Sequence, residues 1–157
     1  MASNHITYDH YAAFGMIINT IADIDGLLDK IIIAMVKGQP TILPLLTLLS
    51  SKEKIDYIVA IAKISTMSPI AINGLEKLMD RVRKAHSLRN QIAHCTWIQG
   101  TKSGTIKPLM MSARTVLKML GIEHNEKQWT AAELHAEVKR FQEVGKDLAL
   151  FMKRYGL

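Results

Sequence analysis

Six consecutive residues combine a phosphate-binding group with a proton-transfer group. They are Arg89, Asn90, Gln91, Ile92, Ala93 and His94. An arginine guanidinium grips phosphate with a planar set of N–H donors, and a histidine exchanges protons near neutral pH. Together these two groups are sufficient in principle to catalyse phosphodiester cleavage. In RNA this chemistry needs no metal, because the neighbouring 2′-hydroxyl attacks the phosphorus and leaves a cyclic phosphate and a free 5′-hydroxyl.

Arg89 is out of place in the helix that the sequence predicts around it. At about 100° per residue, the segment from Leu75 to Ile92 has one apolar face, and Arg89 projects from its middle. The apolar positions of that face are Leu75, Leu78, Met79, Val82, Ala85, Leu88 and Ile92. Because an unpaired buried charge is too costly, we expect Arg89 to pair with a buried acid or to face a cleft or partner subunit.

An acid that could pair with Arg89 lies on the predicted first helix. The same angular count places Asp25 within the apolar arc and Asp29 at its edge, whereas Asp23 points to solvent. Two interpretations stay open. Either Arg89 and Asp25 form a buried ion pair without chemistry, or Arg89 is free to bind a phosphate.

A second histidine lies close to the motif along the same helix. His86 is two turns before His94 and nearly in line with Asn90, so it either adds an imidazole to the cleft or is a satisfied interfacial histidine. The spacing of His86, His94 and Cys95 is not a familiar metal-ligand pattern. We therefore expect no metal and no cofactor.

Basic residues are concentrated near the motif. The chain has a net charge of +6, and residues 72–94 hold five Lys or Arg against two acids. Arg81, Arg83 and Lys84 are candidate nucleic-acid contacts, or else an ordinary solvated face. The balance favours an anionic partner, and RNA fits it.

Length and composition predict one domain over residues 1–157. The chain is 48% hydrophobic and has a single cysteine, Cys95, which excludes an internal disulfide and a Cys-rich zinc site. No basic segment followed by an apolar run begins the sequence, and no charge-free window is long enough to span a bilayer. We expect a cytoplasmic protein without a membrane partner.

Apolar periodicity and caps predict helices in the first 94 residues. The first runs from about Tyr8 to Val36, and a short one follows Pro40 through Leu49. Ser50 and Glu53 have capping-box spacing for a helix to about Ile64, and Ser68-Pro69 suits the start of the motif helix. The predicted inward residues of the first helix are Tyr11, Phe14, Ile17, Ile18, Ile21, Ile24, Leu28, Ile31, Ile32 and Met35.

The remaining third of the chain interrupts the helical pattern. Residues 95–111 predict a small β-hairpin or irregular insertion, with Pro108 restricting it to a sheet edge. A brief helix is expected over 112–120, and Thr130 with Glu133 caps a final helix. Its predicted inward residues are Leu134, Val138, Phe141, Leu148, Phe151, Met152 and Tyr155. The predicted fold is all-α, a compact up-and-down helical bundle with this one insertion.

The six-residue motif resembles the signature of the HEPN superfamily. That signature is an arginine, usually followed by a polar residue, and a histidine a few positions later; here Arg89, Asn90 and His94 match it. Four intervening residues and the small Ala93 before the histidine agree with the commoner form. The position near the end of a late helix agrees as well. The chain departs from the pattern in its 95–111 insertion and in the short helix expected before the last long one.

The resemblance implies a helical domain that dimerises with its motif helices facing across a shared cleft. It further implies metal-independent endoribonuclease activity, of the kind found in toxin-antitoxin, defence or RNA-processing systems, with an antitoxin or nucleotidyltransferase as a further partner. His94 would be the general base or acid, Arg89 would bind the scissile phosphate, and Asn90 would orient the pair. An acidic residue on the first helix often supports the motif, and Asp25, then Asp29, is the candidate. The alternative is a catalytically inactive HEPN module that serves binding or dimerisation.

Overall fold

The computed structural model of the protein describes residues 6–37, 40–109 and 127–157, and most of these are helical. The helices are α1 (Tyr8–Met35), a 3-10 helix (Pro40–Ile42), α2 (Leu43–Leu46), α3 (Ser51–Ile64), α4 (Pro69–His94) and α5 (Ala131–Tyr155). The strands are β1 (Thr96–Gln99), β2 (Thr105–Leu109) and β3 (Trp129–Thr130). The predicted all-α class with a small β insertion is confirmed.

Local capping signals set where the helices begin. At α3, Ser50 Oγ accepts from the Glu53 amide at 3.3 Å, and the Ser50 amide donates to the Glu53 carboxylate at 2.7 Å. At α5, Thr130 and Glu133 make the same reciprocal pair at 3.1 and 2.8 Å. Ser68 Oγ accepts from the third residue of α4 at 3.3 Å. All three predicted helix starts are confirmed, because each depends on residues three positions apart.

The buried stripe of α1 is narrower than the sequence pattern suggests. Eight of the ten predicted inward residues are buried or half-buried, but Tyr11 is 59% exposed and Ile18 is 40% exposed. Both lie roughly 100° around the helix from the centre of the buried stripe, where neighbouring elements do not cover them. The prediction that these two point inward is wrong.

The three strands form one antiparallel sheet in the order β1-β2-β3. β1 pairs with β2 from Thr96 opposite Leu109 to Gln99 opposite Ile106. β3 pairs only with Thr105 and Ile106 of β2. The hairpin of β1 and β2 confirms the insertion over the described part of 95–111, whereas β3 was not predicted.

Pro108 lies in the middle strand of the sheet, but among the described residues β2 is paired on one side only at this position, as the edge prediction requires. β2 has neighbours on both sides, and Pro108 pairs with Trp97 of β1. The two-residue β3 reaches only Thr105 and Ile106. On the β3 side, no described strand lies beside Pro108. The N–H that proline lacks therefore costs no hydrogen bond between described strands there.

The hairpin turn requires glycine at two positions. A Cβ at Gly100 would clash with the side chains of Thr105 and Gln128, and Gly104 has a φ of +69°. Gln128 closes the turn, since its Oε1 accepts from the Thr101 amide at 2.9 Å and from Thr105 Oγ1 at 2.9 Å. The residue before β3 therefore ties that strand to the hairpin.

The chain divides into two compact units. The first comprises Met1–Ile18 and Ser87–Lys139, and the second comprises Asn19–His86 and Arg140–Leu157. Buried apolar residues of the first are Ala13, Phe14, Ile17, Leu88, Ile106, Trp129, Leu134 and Val138. Buried apolar residues of the second include Ile21, Ile24, Leu28, Ile55, Ile58, Leu75, Met79, Val82, Val144 and Leu148. The single-domain prediction for residues 1–157 stays a prediction.

The other element predictions have mixed outcomes. The short helix predicted after Pro40 is present as the 3-10 helix and α2. The brief helix expected over 112–120 lies outside the described residues. Five of the seven predicted inward residues of α5 are buried, and the other two, Met152 and Tyr155, are half-buried. Among the helices that the structure describes, none combines the length and apolarity needed to cross a membrane.

Candidate functional site

The motif residues lie in the last two turns of α4. Arg89 is half-buried, whereas Asn90 and His94 are exposed. The Arg89 guanidinium donates through Nη1 to Asn90 Oδ1 at 3.2 Å. Asn90 and His94 are four residues apart and share one helix face, while Arg89 and His94 are separated by roughly 7.5 Å along the axis. Asn90 therefore links the guanidinium to the face that presents the imidazole.

Arg89 keeps most of its hydrogen-bonding capacity. A guanidinium has five N–H donors, and the hydrogen bond formed here goes to a neutral amide oxygen. Within the first unit, none of the described residues forms an ion pair with Arg89. A planar fork of donors at a partly exposed helix end can receive two oxygens of one phosphate.

The strand that follows α4 fixes where the helix ends. The Cys95 amide makes the last helical hydrogen bond, to Gln91 O at 3.0 Å. Thr96 then starts β1, and the ring of Trp97 packs against Phe14 with centroids 4.7 Å apart. The last hydrogen bond of α4 and the packing of Trp97 both fix the backbone at this junction. The exposed side chain of His94 therefore projects from a well-defined helix end.

A buried histidine that the sequence reasoning missed lies in the same unit. His10 is 3% exposed. Its Nδ1 accepts from the Thr7 amide at 3.2 Å and lies 2.7 Å from Thr7 Oγ1. This is half of a capping box at the start of α1, with imidazole in the place of a glutamate. The Thr7-to-His10 spacing is the signal that could have found it.

The hydrogen bonding of His10 favours its neutral form. Because Nδ1 accepts from the Thr7 amide, the neutral ring carries its proton on Nε2. That atom is buried and makes no hydrogen bond of normal geometry to a described residue. Burial lowers the pKa of His10, although the charge of Asp9 and the backbone of Gly104 and Trp129 act in the opposite direction.

The structure brings two other predicted site residues together, in the second unit. His86 Nε2 lies 3.2 Å from Asp25 Oδ1, with the two side chains 12% and 32% exposed. Both atoms are buried, and their contact does not have the angles of a hydrogen bond. The pair is an ionic contact when the imidazole is protonated, and it joins α1 to α4.

The first turn of α3 completes this cluster with residues that the sequence reasoning did not single out. Lys54 Nζ lies 2.7 Å from Asp29 Oδ1. Burial by itself would raise the pKa of Asp25, but the contacts with His86 and Ser51 and the charge of Lys54 lower it overall. We call Asp25, Asp29, Ser51, Lys54 and His86 the Asp25 cluster. It keeps the Asp25 carboxylate ionised in a partly buried position.

The Asp25 cluster bears on the predicted partner of Arg89. Within the second unit Asp25 already has His86, Ser51 and Lys54 as partners. The predicted pairing of Arg89 with Asp25 stays a prediction. The angular count on one helix identified Asp25 as an inward acid, but it contained no information on which helix would face it.

Two of the three predicted nucleic-acid contacts are held by carboxylates of their own unit. Arg81 Nη1 lies 2.6 Å from Asp147. Arg83 contacts Asp56 at 2.9 Å and Asp80 at 2.7 Å, and these carboxylates raise its pKa. Lys84 is exposed. Their role as phosphate contacts stays a prediction, with Lys84 the most available of the three.

The described residues contain no group of three or more His, Cys, Asp or Glu side chains arranged to hold a metal ion. At the end of α4, the half-buried Arg89 guanidinium lies beside the exposed side chains of Asn90 and His94. They can bind an oxyanion and exchange a proton with an adjacent ligand.

Comparison with known proteins does not identify a family for this chain. No family model, curated protein or solved structure matches the chain. The resemblance to the HEPN superfamily therefore stays a prediction, and it rests on Arg89, Asn90 and His94 at the end of a helix in an all-α fold.

Proposed function

We propose that the protein is a metal-independent endoribonuclease of HEPN type that acts through Arg89, Asn90 and His94. The proposal depends on one observation, the set of contacts that the Arg89 guanidinium makes. Its guanidinium is held by the neutral Asn90 amide at 3.2 Å, and no described residue of its unit neutralises it. An arginine held at a helix end, without a charged partner among the described residues of its unit, is suited to an anionic ligand.

The proposed reaction is attack of an RNA 2′-hydroxyl on the adjacent phosphorus. His94 accepts the hydroxyl proton, or supplies a proton to the departing 5′ oxygen. The 2′ oxygen forms a bond to phosphorus while the bond to the 5′ oxygen breaks, which gives a 2′,3′-cyclic phosphate and a 5′-hydroxyl. Arg89 donates to the phosphoryl oxygens as their charge rises, and Asn90 holds the guanidinium.

The contacts of Asp25 support the proposal that Arg89 is available to bind a ligand. In the second unit its carboxylate lies 3.2 Å from His86 and also interacts with Ser51 and Lys54. A carboxylate with these partners does not need an arginine to compensate its burial. This weakens the alternative in which Arg89 serves only as a structural ion pair.

The surroundings of the motif also support an anionic ligand. The described residues of the first unit carry Arg89, Lys102, Lys107, Lys127 and Lys139 against Asp9, Glu133 and Glu137. The resemblance extends the proposal to RNA as the substrate, to a homodimer whose motif helices face each other, and to an antitoxin or nucleotidyltransferase partner. The predicted cytoplasmic location belongs to the same proposal.

The test is cleavage of RNA by the purified protein in the presence of a chelator. We expect cleavage products with 2′,3′-cyclic phosphate and 5′-hydroxyl ends. His94→Ala should reduce the rate by about 100-fold or more, which is the usual contribution of a general acid or base. His135→Ala is the matched control, because His135 lies in the same unit on α5 and outside the motif.

Three outcomes would contradict the proposal. Cleavage that requires a divalent metal and survives His94→Ala would assign the activity to other chemistry. Equal losses in His94→Ala and His135→Ala would point to damage of the fold. A folded protein that cleaves no RNA from a varied pool would instead favour a catalytically inactive binding or dimerisation module.

A further inference from the structure

An open apolar groove lies in the second unit between the first turns of α4 and the end of α5. Its volume is about 350 Å³. Ile70 and Leu78 line it from α4, and Leu150 and Phe151 line it from α5. Gly74 sits between the two α4 residues, and a Cβ there would lie 3.9 Å from the Phe151 ring. The missing side chain leaves the floor of the groove open.

Two of the groove residues expose large aliphatic side chains to solvent. Ile70 is 82% exposed and Leu150 is 64% exposed. They stand on the two helices that form the groove. Facing apolar walls around an open floor are the arrangement that takes up the apolar side of a helical segment.

The charge on the rim of the groove is positive. Arg154 lines the groove, and the described contact of its guanidinium is with the neighbouring Tyr155 ring at 5.6 Å. The carboxylate that lines the groove, Asp147, is neutralised by Arg81 at 2.6 Å. The net field at this groove therefore attracts an anion.

We propose that this groove binds an amphipathic helical segment of another protein, with apolar side chains entering over Gly74 and an acidic side chain meeting Arg154. The volume lies at the small end of the roughly 300–1,000 Å³ of sites that enclose a whole small ligand, and the groove is open, which suits a few side chains of a larger partner. A second copy of the chain fits less well. A symmetric contact uses the same patch on both copies, and a groove facing a groove encloses empty space instead of packing.

The proposal can be tested with a labelled helical peptide of about 15 residues. The peptide carries leucines four residues apart on one face and glutamates beside them. Two control peptides replace the glutamates with lysines or the leucines with alanines. Binding to the full-length protein is measured by fluorescence anisotropy, and we expect the leucine and glutamate peptide to bind more tightly than either control.

Three variants locate the binding surface. Leu150→Asp should weaken binding by about tenfold or more, and Leu48→Asp is its control, because Leu48 is 78% exposed in the same unit but does not line the groove. Gly74→Leu fills the floor, so it should abolish binding in a protein that still folds, since leucine has a higher helix propensity than glycine. Arg154→Glu should exchange the preference between the acidic and the basic peptide.

The outcomes that overturn the proposal are distinct from one another. Equal affinity for the acidic and basic peptides, equal effects of Leu150→Asp and Leu48→Asp, or no binding of any peptide would each remove it. If light scattering shows a dimer that Leu150→Asp or Gly74→Leu converts to monomer, the occupant is a second copy. None of these variants alters Arg89, Asn90 or His94, so failure here leaves the ribonuclease proposal to its own test.

Discussion

The motif at the end of α4 and the Asp25 cluster contain the same kinds of group in opposite surroundings. Both include a histidine of α4 and a cation, but His94 is exposed and Arg89 has only an amide as its hydrogen-bond partner in its unit. In the Asp25 cluster, His86 is 12% exposed and faces the carboxylate of Asp25. Lys54 is also 12% exposed and faces the carboxylate of Asp29. Groups that are buried and already face an opposite charge are costly to remove, whereas groups without a charged partner in their unit remain available for a ligand.

The largest expected difference between the two regions is in the response to loss of Arg89. Arg89→Ala should reduce RNA cleavage by about 100-fold or more and change the free energy of unfolding by no more than about 0.5 kcal/mol. Arg89→Lys should lose most activity as well, because lysine lacks the planar fork of donors. Cleavage assays and urea denaturation of the same preparations measure the two effects. A strongly destabilised Arg89→Ala protein would make Arg89 a structural residue and reverse the comparison.

The two α4 histidines should differ in their effect on stability. His86→Ala should lower the free energy of unfolding by about 1–3 kcal/mol, because it leaves a buried Asp25 oxygen without its neighbour. His94→Ala should change it by about 0.5 kcal/mol at most, since its side chain is exposed. Urea denaturation of the two variants provides the comparison. Equal losses would show that the end of α4 is as structurally committed as the Asp25 cluster.

Helix caps provide a smaller effect that should be the same in both units. Ser50 caps α3 in the second unit, and Thr130 caps α5 in the first. Ser50→Ala and Thr130→Ala should each cost about 1 kcal/mol, and the double variant should show the sum within about 0.5 kcal/mol. Thermal and urea unfolding with two independent probes measure these values. A double variant far from additivity would indicate that the caps are energetically coupled.

The smallest expected effect is a difference in pH dependence. The pKa of His10 is lowered, so its contribution to stability is complete above about pH 6.5 and is lost as the pH falls through the lower folded-state value. The pKa of Asp25 is also lowered, and its contribution is lost only in acid, below about pH 3.9. Hydrogen exchange should therefore show α1 near Thr7 opening first as the pH is reduced.

His10→Leu separates the two contributions. The variant should be less stable near neutral pH, because the Thr7 amide loses its acceptor, but its stability should vary less between about pH 7 and pH 5. His135→Leu controls for removal of an imidazole elsewhere in the first unit. An unchanged pH slope in His10→Leu would mean that the buried imidazole does not titrate in this range.

Most helix boundaries could be predicted because their causes are local. Ser50 with Glu53 and Thr130 with Glu133 interact over three residues, so the sequence contains both partners of each cap. The exposure of Tyr11 and Ile18 could not be obtained in the same way. Periodicity shows which side of a helix is apolar, but only the neighbouring elements determine how wide a stripe they cover.

The same distinction between local and long-range causes applies to the candidate site. The sequence by itself determined the order of Arg89, Asn90 and His94 on one helix, the inward position of Asp25 and the concentration of basic charge. Only the tertiary structure decided that Asp25 meets His86, that Lys54 and Ser51 join it, and that His10 is buried beside the backbone of Gly104 and Trp129. Spacing along a helix fixes angles about one axis, whereas ion pairs and burial depend on segments that are distant in the chain and meet only on folding.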